Sequence, residues 1–94
     1  MFYTIDMKLA KGPEPLRAAM ARAVSTLSDA FPNAEISHKD NGRAGSAPRY
    51  LNVETDAEAK LEICEALKGA GFKTEYTPRY HNWQGHSVDL ILAR

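Results

Sequence analysis

The 94-residue chain holds a single cysteine, Cys64, and a single tryptophan, Trp83, and its charges cancel, with 12 Lys plus Arg against 12 Asp plus Glu. Each shortage excludes something. One cysteine permits no intrachain disulfide and fits a reducing compartment. Zero net charge argues against a domain built mainly to grip nucleic acid, against an acidic DNA mimic and against a disordered tail. No apolar run approaches the roughly 20 residues of a transmembrane helix. Met1 leads straight into Phe2-Tyr3-Thr4-Ile5-Asp6, with no basic segment and no signal-peptide core. The sequence therefore predicts a cytoplasmic protein with no membrane partner.

Large aliphatic side chains are also scarce. Leu, Ile, Val and Phe total 18 residues, while Ala alone supplies 14. So small a share signals disorder only when net charge is high. Here the apolar residues are periodic, so the chain reads as one folded domain over 1–94 with a thin core. A domain of this size buries only roughly two-thirds of its unfolded surface. Burial against a second copy would add to that, which predicts a homodimer formed by an exposed final strand or by a small-residue helix face.

Periodicity supplies the elements. Residues 2–10 alternate, with Tyr3, Ile5, Met7 and Leu9 on one side and Thr4, Asp6 and Lys8 on the other, as in a half-buried strand. Residues 13–31 switch to period 3.6, with a stripe of Leu16, Met20, Val24, Leu27 and Phe31 and a small, polar opposite face of Arg17, Ala21, Arg22, Ser25 and Asp29. Two short strands follow, over 34–39 and 50–54, around a loop rich in Gly, Asn and Pro. Thr55-Asp56-Ala57-Glu58 has the form of a capping box, in which the Thr55 hydroxyl and the Glu58 carboxylate satisfy each other's backbone N–H groups. It predicts a helix over 56–68 whose core face is Ala59, Ile63, Cys64, Leu67 and Ala70, ended by Gly69 or Gly71 in the left-handed conformation. Two strands over 72–80 and 86–93 close the chain, and Pro78 places the end of the first at an edge or bend. The order β-α-β-β-α-β-β predicts an α+β domain of ferredoxin-like form with an extra C-terminal edge strand, its two helices on one face of an antiparallel sheet.

Chemistry-bearing motifs are missing. The loop Asn41-Gly42-Arg43-Ala44-Gly45-Ser46 joins two strands and matches neither a P-loop nor a dinucleotide fingerprint. His38, His81, His86 and Cys64 have no metal-ligand spacing. No nucleophile elbow or Ser-His-Asp set is present. The sequence thus predicts no catalytic residues, no metal and no cofactor. What stands out is the stretch from Tyr76 to His86, which carries Trp83, Tyr80, Arg79, His81 and His86. A turn needs Asn82 and Gly85; it does not need a tryptophan. Trp, Tyr and Arg dominate interface hot spots, so Arg79, Tyr80, His81, Trp83 and His86 are read as the partner-binding set. The expectation is a small non-enzymatic binding protein acting on a protein partner, an inhibitor or adaptor such as a phage-encoded inhibitor of a bacterial defence complex. Two rivals stand beside it. One is nucleic-acid or nucleotide binding through Lys39, Arg43 and Arg49, in a region of net charge +2 over residues 36–50 (three cations, one acid). The other is a small enzyme whose site is completed across a dimer.

Overall fold

The computed structural model describes residues 1–8, 14–39, 49–81 and 87–94. The chain forms β1 (Phe2–Met7), α1 (Leu16–Ala30), β2 (Glu35–Lys39), β3 (Tyr50–Glu54), α2 (Lys60–Gly69), β4 (Thr74–His81) and β5 (Ser87–Ala93). The strands make one mixed sheet in the order β2-β3-β1-β5-β4, in which β1 and β5 run parallel and the other neighbours antiparallel. This is a small α+β fold. Tyr3, Ile5 and Met7 of β1, Leu51 and Val53 of β3, and Ile91 and Ala93 of β5 line one sheet face. They form a single core with Met20, Ala23 and Leu27 of α1 and Ile63, Cys64 and Leu67 of α2.

The sheet departs from the expected antiparallel arrangement, and the final strand is not its edge. β5 lies inside, parallel to β1, and β4 is the outer strand. The reason is legible in the side chains. β5 is apolar on both sides, with Ile91 and Ala93 in the core and Val88, Leu90 and Leu92 on the opposite face. Apolar residues on both sides favour an interior position, flanked by β1 and β4, over an edge. β4 carries Pro78, which cannot donate to a ladder and is confined to edges and bulges.

The helix ends also differ from the expectation. α1 begins at Leu16 with Pro15 at its N-cap, and α2 begins at Lys60 with Ala59 at its N-cap. No capping box forms, because the Thr55 hydroxyl donates to the Ala57 carbonyl instead. A buried side chain from the sheet does that work: the Tyr3 hydroxyl accepts the Ala59 N–H at 2.7 Å. At the other end, Phe72 N–H bonds to the Leu67 carbonyl and Gly71 N–H to that of Lys68, with Gly71 at φ +92°. That is a Schellman motif around a left-handed glycine. Arg22 of α1 reaches across to the same terminus, donating to the Ala70 carbonyl and lying 3.9 Å over the Phe72 ring. Glu14 holds that guanidinium through two hydrogen bonds.

Candidate functional site: the uncovered sheet face

Both helices lie on one side of the sheet, so among the described residues the face carrying the other half of each strand has no helix over it. Strand register arranges that face in three rows. At one end, which we term the lower end, Glu35, Glu54 and Phe2 lie in line. Extending the β1–β5 register one step below Tyr3–Asp89 continues that row through Val88 to Tyr80. The middle row is Ser37, Asn52, Thr4, Leu90 and Thr77, and the upper row is Lys39, Tyr50, Asp6, Leu92 and Glu75. Apolar and aromatic residues gather toward the β5 side, and the carboxylates of Glu35 and Glu54 sit at the opposite margin.

Polar groups in the centre are paired. The Thr4 hydroxyl donates to Asn52 Oδ1 at 3.0 Å. The nearly buried Asp6 is clasped by Arg49, with Nε 2.9 Å from Oδ1 and Nη2 3.2 Å from Oδ2. Arg49 also donates to the Tyr50 hydroxyl at 3.0 Å and lies over its ring. Burial alone would lower the Arg49 pKa, but the hydrogen bond and charge of Asp6 outweigh it and raise it. Phe2 is different in kind: it is 53% exposed in the lower row, although a large apolar ring gains from leaving water.

The residues singled out by sequence fall in two groups at opposite ends of the sheet. Tyr80 is half-buried in the lower row, beside Val88. Arg79 is exposed at a β-bulge, held at φ +53° with its N–H donating to Asp89 Oδ1 at 3.3 Å. The exposed His81 has Nε2 3.3 Å from the Ser87 hydroxyl. Trp83 and His86 lie outside the described residues. Lys39 and Arg49 mark the upper end, level with Tyr50 and Met7, and Arg43 lies outside the described residues. About five residues of strand, roughly 17 Å, separate the two levels. Lys39 and Arg49 therefore do not lie beside Arg79, Tyr80 and His81, and the Arg49 charge is already met by Asp6.

Other surfaces offer little chemistry. A cleft of about 240 Å³ runs between Ala30–Ala34 and the pair Thr55 and Asp56. Asp56 is its single titratable side chain, so it lacks an acid–base pair. Tyr76, packed beside Asp89 and Lys60, has its pKa raised by burial first and then by its hydrogen bond to Asp89. Among the described residues no three of His, Cys, Asp and Glu converge as metal ligands would, and no helix is long and apolar enough to cross a membrane.

Phe2, Val88, Leu90 and Leu92 were not singled out as site residues by sequence. The alternation of β5 separates its two sides, but which side faces the helices depends on strand order. The Asp6–Arg49 clasp spans 43 positions and leaves no local pattern. The chain matches no family model, no curated protein and no solved structure in comparisons with known proteins.

Proposed function

We propose that the chain is a non-enzymatic binding protein of inhibitor or adaptor type, and that a protein partner docks on the lower part of the uncovered sheet face. Phe2 and Tyr80 form the apolar centre of that surface, with the buried Val88 between them in the row. Arg79 and His81 are exposed beside it, and Trp83 and His86 complete the set. The observation that carries this reading is the row itself: a ring left 53% exposed shares a helix-free face with Tyr80, one of the hot-spot residue types. Apolar and aromatic residues at the centre with charges at the margin match the anatomy of a protein interface, a dry core within a polar rim. A phosphate backbone would meet Glu54, Glu35 and Glu75 on the same face, while Asp6 and Arg49 neutralise each other, which disfavours nucleic acid.

The test is capture of partners from the native host with and without nuclease, using the wild-type chain and Phe2→Ala and Tyr80→Ala variants. A protein retained after nuclease and lost with both variants supports the reading. A partner that vanishes on nuclease treatment, or one that both variants retain at wild-type affinity, ends it.

A further inference from the structure

The two edges of the sheet are not equivalent. β4 is closed to pairing: Pro78 lacks a donor, the bulge breaks the ladder, and the N–H of left-handed Arg79 is turned to Asp89. β2 has none of these devices along Glu35-Ile36-Ser37-His38-Lys39. We propose that β2 is a self-association edge, at which two copies of the chain pair antiparallel about Ser37 to give one continuous ten-stranded sheet.

Charge selects both the occupant and the register. A two-fold axis at Ser37 sets Glu35 opposite Lys39 of the second copy, Ile36 opposite His38 of the second copy, and Ser37 opposite itself. Opposite charges then face each other directly, and symmetry makes the match twice. Moving the axis to Ile36 or to His38 removes both matches. Glu35 also gains a partner that it lacks among the described residues of its own chain. Its cross-strand neighbour there is Glu54, a like charge, and no described cation pairs with either. Half-buried Ile36, packed against the core, is covered further.

Helix α1 supports the same axis. Arg22 turns one flank of α1 toward α2. The opposite flank, with exposed Arg17, Ala21 and Ser28 and half-buried Val24, lies on the β2 side. An axis normal to the sheet beside β2 brings this flank toward its own copy, antiparallel, and its small residues allow close approach. The association does not depend on the proposed docking face, which stays open on both copies.

Sedimentation equilibrium on the full chain tests this, with wild type, Glu35→Lys, Lys39→Glu and the double variant Glu35→Lys/Lys39→Glu. Wild type is expected to dimerise at about 100 μM. Each single change turns two attractions into two repulsions and should weaken the dimer at least about tenfold, while the double change should return it to within about threefold of wild type. A wild-type monomer at that concentration would overturn the proposal. So would a dimer that the single changes leave intact, or a double variant no stronger than the singles.

Discussion

Replacing Tyr3 with Phe removes one oxygen from the core and separates two accounts of how α2 begins. Tyr3 is fully buried on β1, and its hydroxyl accepts the Ala59 N–H at 2.7 Å, at a helix start where no side chain of the neighbouring chain segment caps. Phe keeps the ring and its packing, so no large cavity opens. It leaves a buried backbone N–H without an acceptor. An unmet buried donor costs about 1–3 kcal/mol. For a domain of this length that is a fall in Tm of roughly 5–20 °C, read by thermal melting. Urea unfolding should show a lower midpoint with an unchanged slope, since the surface exposed on unfolding is nearly the same. Thr55→Ala is the matched comparison. Were Thr55 the N-cap, its loss would cost about 1 kcal/mol or more. Because its hydroxyl donates to the Ala57 carbonyl on the surface, the change should stay within about 0.5 kcal/mol. Tyr3→Phe within about 0.5 kcal/mol of wild type, with Thr55→Ala the more damaging, would refute the assignment.

Four further outcomes are expected. Arg22→Ala should destabilise by about 1–2 kcal/mol in urea, through loss of the bond to the Ala70 carbonyl and of the contact over Phe72. Glu14, whose pKa is lowered by its hydrogen bond from Arg22, contributes stability above the ordinary carboxylate range and loses it as pH falls through the lowered value; melting against pH in wild type and Glu14→Gln should show that acid-side loss in wild type alone. Gly71→Ala should cost about 1 kcal/mol or more, since φ +92° disfavours a Cβ although the Arg22 guanidinium, 3.8 Å away, leaves room for one; unchanged unfolding would mean the turn relaxes freely. Trp83→Ala should weaken partner binding by about 2 kcal/mol or more at unchanged Tm, whereas a stability loss of roughly 3 kcal/mol with binding intact would make Trp83 a cover for the sheet edge.

Local patterns carried much of the fold. The Leu16-to-Phe31 stripe placed α1 to within a few residues, and period-two alternation identified Tyr3, Ile5, Met7, Leu51 and Val53 as core. Features set by tertiary contact were hidden. The Thr55–Glu58 pattern meets every local requirement of a capping box, yet Tyr3, 56 positions away, supplies the acceptor and the helix starts at Lys60. Strand order was hidden for a related reason: alternation in β5 shows two sides but not which strands flank it, so β5 read as an edge. Of the candidate site, Arg79, Tyr80 and His81 were visible through composition alone. Phe2 looked like an ordinary first strand residue, because its exposure depends on the helices lying on the other face.

The proposed partner docks on the lower row of the uncovered face. The most direct measurement is the affinity of the captured partner for wild type and for Phe2→Ala, by calorimetry, beside Leu61→Ala as a control on the helix-covered side. Leu61 is even more exposed than Phe2, at 68% against 53%, and lies on α2. The account predicts a loss of about 2 kcal/mol or more for Phe2→Ala and within about 0.5 kcal/mol of wild type for Leu61→Ala, with both variants melting like wild type. Equal affinities for wild type and Phe2→Ala, with binding lost in Leu61→Ala, would place the partner on the helices and contradict it.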